Sequence, residues 1–127
     1  MPAAHRILIV DDDPQLLTFV ARYLSRHGFE TETFLSAEEA RHRFLGKPDF
    51  QLIILDGTAD LGNYSEFCEE VRSKCQNARI LVWSGYPQQG CDLVDQFGPN
   101  ARFLAKPFTP SKLIQTVKEL TALDSPQ

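Results

Sequence analysis

Four short apolar runs constrain the fold of this chain more than any other feature, because each run ends on a polar residue. The runs are residues 7–10, 52–55, 80–83 and 103–105, and the residues that follow them are Asp11, Asp56, Ser84 and Lys106. Continuous apolar runs of this kind are typical of parallel strands that are buried on both faces of a sheet. Because the carboxyl ends of parallel strands meet at one edge, the sequence predicts that acids, a hydroxyl group and an ammonium group converge on one crevice.

The segments between the runs have the periodicity of helices. The first helix is predicted to begin at Pro14. Its predicted buried stripe contains Leu16, Phe19, Val20, Tyr23, Leu24 and His27. Leu17 falls outside this stripe and is expected to be exposed. Further along, Ser36 and Thr109 each precede a helical pattern as N-caps, and Pro110 suits the first position of the last helix.

Other segments complete the pattern of alternating strands and helices. Residues 31–34 predict a short strand, and residues 64–75 predict a helix with Cys68 and Cys75 on its buried face. Several Gly and Pro residues lie between positions 86 and 100, so the helix near residues 91–97 is expected to be short and poorly formed. Strand followed by helix, repeated five times, predicts an α/β fold with a doubly wound, five-stranded parallel sheet and helices on both faces.

Length, charge and cysteine content limit the classes of protein to which the chain can belong. Its 127 residues suit a single domain over residues 1–127, with a core at about residues 5–122 and short tails at both ends. A net charge of −4 without a long basic stretch argues against direct contact with nucleic acid. The apolar runs are too short for membrane insertion, and three cysteines, which cannot all pair, favour the reducing cytoplasm.

The acids at the strand ends have the chemistry of a magnesium site. Two carboxylates about 4 Å apart repel each other by about 4 kcal/mol at an effective dielectric constant near 20, and a divalent cation removes that cost. Mg²⁺ prefers hard oxygen ligands, uses one or two carboxylates and leaves positions for water and a phosphate oxygen. Asp11, Asp12 and Asp56 are therefore predicted to bind Mg²⁺, together with a backbone carbonyl from the loop after Asp56.

The same crevice suits the transfer of a phosphoryl group to a carboxylate. Asp56 stands alone at its strand end, which fits a nucleophile that forms an aspartyl phosphate. Lys106 would bring a mobile positive charge to the phosphoryl group, and Ser84 would donate its hydroxyl to one of the oxygens. Asp13, by contrast, is expected only to begin a helix.

These motifs, in this order and spacing, resemble the receiver domain of two-component response regulators. The matching residues are 7–13, 55–56, 84–85 and 103–108, and the resemblance covers about residues 5–122. It implies a flavodoxin-like (βα)5 receiver fold and a phosphorelay in which a sensor histidine kinase or a phosphotransfer protein phosphorylates Asp56. It also implies that phosphorylation switches contacts with an effector domain or partner protein, and a homodimer is one such contact.

The resemblance assigns roles to the metal ligands. Asp12 would bind Mg²⁺ directly, Asp11 would bind it through water, and the backbone carbonyl of Thr58 would complete the ligands from the protein. A domain of this kind is not an enzyme, apart from self-phosphorylation from a phosphodonor and slow self-dephosphorylation.

Two further features follow from the same resemblance. The peptide bond between Lys106 and Pro107 would be cis, an isomer found in only about 5–6% of X-Pro bonds. Phe103 would be the aromatic residue that reorients when the Ser84 hydroxyl moves to the phosphate. The alternative for Phe103 is a ring that is simply packed on the sheet.

A receiver-like binding module that works without phosphorylation is the main alternative function. The loop after Asp56 favours it, because Asp60 and Leu61 stand where the family usually has proline and glycine, and Gly57 directly follows the acceptor. The complete set of acids, hydroxyl and lysine argues against it.

A phosphatase of the haloacid dehalogenase type is the second alternative. The Asp11-x-Asp13 pattern after a strand, followed later by a serine and a lysine, is compatible with that class. However, Pro14 stands where that family usually has glycine, and Asp56 would then have no role.

Overall fold

The computed structural model describes residues 5–57, 64–75 and 77–122, apart from the side chains of residues 64, 65 and 68. Within these residues the chain forms five strands and five helices in strict alternation. They are β1 (Arg6–Val10), α1 (Pro14–Arg26), β2 (Glu30–Phe34), α2 (Ala37–Gly46), β3 (Leu52–Asp56), α3 (Tyr64–Lys74), β4 (Arg79–Ser84), α4 (Pro87–Phe97), β5 (Ala101–Ala105) and α5 (Pro110–Ala122). The strands form one parallel sheet in the order β2-β1-β3-β4-β5. The predicted doubly wound α/β fold is therefore confirmed.

Alternate side chains of the central strands enter two separate cores, one on each face of the sheet. One core contains the buried residues Leu8, Val10, Ala40, Phe44, Phe50, Ile53, Leu55, Phe67, Val71, Ala78, Ile80, Val82, Leu93 and Phe97. The other, which includes residues of α1 and α5, contains Ile7, Ile9, Leu17, Val20, Leu24, Leu52, Ile54, Leu81, Trp83, Leu104, Leu113, Val117 and Leu120. The sheet edge where the polar residues follow the strands therefore lies between two packed layers.

Helix α1 buries Val20 and Leu24 as predicted, but its buried face is rotated from the predicted stripe. His27, at the end of that stripe, is exposed. Leu17, expected to be exposed, is 5% exposed, whereas Phe19, expected to be buried, is 46% exposed. The reason is that two apolar sets overlap on this helix, and the sheet selects the aliphatic set with Leu17 over the aromatic one. Phe19 instead stacks on Tyr23 with ring centroids 5.8 Å apart, and Tyr23 contacts His27.

Helix α4 is longer than the predicted short segment at residues 91–97, and its expected poor formation was wrong. It has 11 residues and begins at Pro87, which occupies the first turn, where a missing N–H costs nothing. Gly90 lies inside this helix because the Phe103 ring leaves no room for a side chain. A Cβ atom at Gly90 would lie 2.2 Å from Cε1 of Phe103.

Side-chain N-caps are present at three helices, and two of them, Ser36 and Thr109, were predicted. Asp13 caps α1 by accepting from the backbone N–H of Gln15, and Ser36 caps α2 by accepting from that of Glu39. Thr109 accepts from the backbone N–H of residue 112 at the start of α5. None of the helices in the described segments is long and apolar enough to cross a membrane.

Candidate phosphoryl and metal site

The register of the sheet brings the site together on the face that packs against α1 and α5. Asp56 pairs with Trp83, and Trp83 pairs with Leu104, so these three side chains project to the same side. Asp11 comes two residues after Ile9, which enters the core on that side. Since side chains alternate along a strand, Asp11 also faces this side, and β3 lies between it and β4.

The structure brings the three predicted metal ligands together. One carboxylate oxygen from each of Asp11, Asp12 and Asp56 lies within 4.8 Å of the others. Asp11 and Asp56 are buried, whereas Asp12 is exposed at the rim. Two buried carboxylates beside a third require positive charge nearby.

Lys106 supplies one such charge. Its Nζ atom lies 2.8 Å from Oδ2 of Asp11 and 3.7 Å from Oδ2 of Asp56. The Lys106 side chain is 24% exposed, whereas those of Asp11 and Asp56 are almost fully buried. The backbone fixes its starting point, because the N–H of Lys106 donates to the carbonyl of Ser84 over 2.8 Å.

The Asp11 carboxylate receives three donors. Its Oδ2 atom accepts from Lys106 Nζ and from the indole Nε1 of Trp83, each at 2.8 Å, and its Oδ1 atom accepts from the backbone N–H of Asp13 at 2.9 Å. Sequence analysis assigned Trp83 only to an apolar run and missed this bond. The signal was a lone tryptophan directly before Ser84 in a buried strand, because a buried indole N–H needs an acceptor.

Ser84 is buried at the end of β4, next to Gly57, which directly follows Asp56. Its Oγ accepts from the backbone N–H of Tyr86 at 2.9 Å and donates to the Tyr86 carbonyl at 3.1 Å. A Cβ atom at Gly57 would lie 3.6 Å from the Ser84 Cβ and 2.9 Å from a methyl group of Val82. The chain therefore passes close to Ser84 at a position where glycine leaves room.

Phe103 lies in the middle of β5, where it pairs with Val82 on the face of the sheet opposite to the acids, and Pro107 follows Lys106 after the carboxyl end of the same strand. Phe103 is half-buried, and its ring packs against Gly90 of α4. The peptide bond between Lys106 and Pro107 is cis. Thr58, Asp60 and Leu61, to which the sequence analysis assigned a metal ligand and an unusual loop, lie outside the described residues.

The donor set fits Mg²⁺ better than softer metals, because the ligands are all carboxylate oxygens. Because Mg–O distances are about 2.0–2.1 Å, two oxygen atoms that both bind the same Mg²⁺ directly lie at most roughly 4.2 Å apart. A spread of up to 4.8 Å is compatible with two direct carboxylates and a third that acts through water. Asp11 suits the last role, because N–H donors already engage both of its oxygens.

A parallel sheet in this order with acids, a hydroxyl and a lysine at its carboxyl edge defines a class of α/β signalling domain. The model of the response regulator receiver domain family matches residues 7–118, which is most of the chain. The protein therefore belongs to the response regulator receiver domain family, and the resemblance stated from its motifs is confirmed. Receiver domains of this family are signalling domains of two-component systems rather than enzymes.

Solved structures and curated relatives agree with this membership. A CheY-like response regulator receiver domain from Methanospirillum hungatei is 25% identical, covers 94% of this chain and 95% of its own, and superposes with a TM-score of 0.79. A putative transcriptional regulator from Haloferax volcanii is 29% identical over 90% of this chain, and the photosynthetic apparatus regulatory protein RegA from Rhodobacter capsulatus is 32% identical over 63%. The chain spans only 19% and 43% of the length of these two relatives.

Proposed function

We propose that this chain accepts a phosphoryl group on Asp56 from a phosphohistidine donor, with Mg²⁺ as cofactor. The observation that supports the proposal most strongly is the position of Lys106. Its ammonium group lies 3.7 Å from Asp56 while it is bonded to Asp11, so one flexible side chain links the acceptor to the predicted metal ligands. A lysine that served only as a solvated surface charge would not be expected to contact two buried carboxylates.

The transfer conserves atoms and charge. A carboxylate oxygen of Asp56 attacks phosphorus, a P–O bond forms, and the P–N bond to the donor imidazole breaks, with its electron pair returning to the ring nitrogen. Bound Mg²⁺ supplies positive charge that offsets the negative charge of the phosphoryl oxygens. Asp12 and Asp56 are proposed as its direct ligands, Asp11 as a ligand through water, and the Thr58 carbonyl as the backbone ligand.

Lys106 and Ser84 are proposed to sense the phosphoryl group. Lys106 is a point charge on a flexible stem, so it can move from Asp11 toward a new anion at Asp56. The Ser84 hydroxyl, now donating to the carbonyl of Tyr86, can turn toward a phosphoryl oxygen. Phe103 lies on the strand next to Ser84 and packs on α4, so its ring is the proposed route by which this change reaches α4.

The partners follow from the same chemistry. A sensor histidine kinase or phosphotransfer protein is the proposed donor, and an effector domain, a partner protein or a second copy of this chain is the proposed receiver of the signal. We place the chain in the cytoplasm as a single domain. The exposed thiol of Cys91 is compatible with a reducing compartment.

The test supplies acetyl phosphate and Mg²⁺ and follows intact mass. We expect one phosphoryl adduct, labile to hydroxylamine, on the wild type and on Asp49→Asn, and none on Asp56→Ala. Asp49 is a suitable control because it is an acid near the start of β3, at the opposite end of the strand from Asp56. Omission of Mg²⁺ should also abolish the adduct.

Other outcomes would support the alternatives. An adduct that persists on Asp56→Ala contradicts the acceptor assignment. No adduct from acetyl phosphate or from the cognate kinase supports the binding module that works without phosphorylation. Sustained hydrolysis of an aryl phosphate that depends on Asp11 supports the phosphatase.

A further inference from the structure

The side chain of Trp83 on β4 reaches across β3 to Asp11, which directly follows β1. The indole Nε1 donates to Oδ2 of Asp11 over 2.8 Å, although β3 lies between the two strands. Neighbouring strands are about 4.8 Å apart, so the backbones of β1 and β4 are separated by roughly twice that distance, which the two side chains bridge. Among the natural side chains, the indole combines this reach with an apolar body and one N–H donor.

The two side chains that donate to Asp11 Oδ2 differ in burial. Trp83 is fully buried and stacks on Phe108, with ring centroids 5.3 Å apart. Lys106 is 24% exposed, has a long flexible stem, and passes its ammonium 5.8 Å from the indole ring. When the ammonium leaves Asp11 for a phosphoryl group, the indole N–H is the side-chain donor that stays.

We propose that Trp83 is a positioning residue, whose indole N–H holds the Asp11 carboxylate for the cation while Lys106 moves to the phosphoryl group. The inference rests on the proposed function and extends it to a residue outside the set of acids, hydroxyl and lysine. Trp83 touches neither cation nor phosphoryl group in this account, and it acts through Asp11. Trp83 directly precedes Ser84, so the end of β4 carries both the indole N–H that stays on Asp11 and the Ser84 hydroxyl that is proposed to move.

A positioning role has a specific kinetic signature. Loss of a donor that orients a metal ligand typically lowers metal affinity about 10–100-fold. The cation concentration at half-maximal phosphorylation should therefore rise by about tenfold or more, while the rate at saturating Mg²⁺ stays within about twofold of wild type. A role limited to core packing would lower the stability without moving the midpoint for Mg²⁺.

The experiment compares Trp83→Phe with a second variant that keeps the shape of the ring. Because Trp83 is the sole tryptophan, a benzothienyl analogue introduced by chemical ligation replaces this one N–H by sulfur and leaves the ring size nearly unchanged. Phe44→Leu is the control, because it trims an equally buried aromatic in the core on the other face of the sheet. Mg²⁺ affinity is measured by calorimetry, and phosphorylation by acetyl phosphate is measured over a range of Mg²⁺ concentrations.

We expect both Trp83 variants to bind Mg²⁺ at least about tenfold more weakly than wild type and Phe44→Leu to bind it normally. In the wild type, the fluorescence of Trp83 should change with the same Mg²⁺ midpoint that calorimetry gives. If the wild type binds Mg²⁺ and is phosphorylated but the benzothienyl variant matches it, the positioning role is overturned and the proposed function stands. If the wild type does neither, the proposed function fails as well.

Discussion

The two ends of the sheet each carry a cluster of charged side chains, and the clusters differ in charge balance. The carboxyl-end cluster consists of Asp11, Asp12, Asp56 and Lys106. The amino-end cluster consists of Arg6, Glu32, Arg43 and Asp49. Three carboxylates face one ammonium group at the first end. At the second end two guanidinium groups face two carboxylates, and the ammonium group of Lys47 adds a further positive charge 3.7 Å from Asp49.

The amino-end cluster has the geometry of a structural network. Arg43 donates to both oxygens of Glu32 at 2.7 Å, and Arg6 donates to Glu32 and to Asp49. Both guanidinium groups also lie over the ring of Phe50, at 5.0 and 5.5 Å from its centroid. The bond from Arg43 holds the pKa of Glu32 below its usual value and, in return, Glu32 raises the pKa of Arg43.

The balance of positive and negative charges therefore distinguishes a cation-binding site from a structural ion-pair network more clearly than the number of charges does. At the amino end each acid is paired with an arginine, so an added cation would compete with ion pairs that already exist. At the carboxyl end the acids exceed the ammonium groups within the described part of the chain, and two of those acids are buried. A cation bound there would reduce the repulsion among the three carboxylates, which Lys106 alone does not balance.

The largest expected effect that separates the two ends is stabilisation by Mg²⁺. At a concentration 100 times its dissociation constant, a ligand that binds only the folded state adds about 2.7 kcal/mol to the free energy of unfolding. We expect Mg²⁺ to do so for the wild type and for Asp49→Asn, but not for Asp12→Asn. Asp12 is exposed, so its substitution leaves the core intact. Urea unfolding with Mg²⁺ and with EDTA measures the difference, and equal stabilisation of all three would remove the distinction between the clusters.

Replacement of the central cation at each end gives a somewhat smaller effect. In EDTA, Lys106→Met should lower the free energy of unfolding by about 2 kcal/mol, because it removes the charged hydrogen bond that the ammonium group donates to the buried Asp11 carboxylate. Mg²⁺ should then stabilise this variant by more than it stabilises the wild type, since it replaces the lost charge.

Arg43→Met is the matched variant at the amino end. It also removes a cation bonded to an acid, but Mg²⁺ should restore none of the lost stability beyond the increment seen for the wild type. Rescue of both variants to the same degree would show that Mg²⁺ acts through general charge screening and not through the carboxyl-end cluster.

The fold and the polar members of the carboxyl-end cluster could be predicted from sequence because both depend on local pattern. Apolar runs define strands, and a parallel sheet brings the residues after those runs to one edge. The contact between Trp83 and Asp11 could not be predicted, because it depends on side-chain reach across an intervening strand. The amino-end cluster was missed for a similar reason, since Arg6, Glu32 and Asp49 follow no motif and meet only because β1 pairs with both β2 and β3.

The two errors on helices have a different cause. On α1, one helical period fits both an aliphatic and an aromatic set, and only packing on the sheet decides that Leu17 is buried and Phe19 is exposed. On α4, helix propensity counts Gly90 as unfavourable, but the Phe103 ring occupies the space where its side chain would be. Tertiary packing outweighs local preference in both cases.

The smallest expected effect belongs to the amino-end cluster and depends on pH. Glu32→Gln should lower the free energy of unfolding by about 1 kcal/mol at pH 7, because it removes the negative charge from two partly exposed salt bridges, with Arg6 and with Arg43. The pKa of Glu32 is below the ordinary 4.5 in the folded state, mainly because of the bond from Arg43. Its contribution to stability is therefore complete above pH 4.5 and is lost as the pH falls through the lower, folded-state value.

The difference in stability between wild type and Glu32→Gln should accordingly be constant from pH 7 to about 5 and shrink below 4.5. Glu30→Gln, an exposed position on the same strand, should change stability by less than about 0.5 kcal/mol. Both comparisons are made in EDTA, so that the carboxyl-end cluster contributes equally to each variant. A difference that grows as the pH falls would mean that Glu32 is protonated more easily in the folded state than in the unfolded state, and the amino-end cluster would then be as unbalanced as the carboxyl-end cluster.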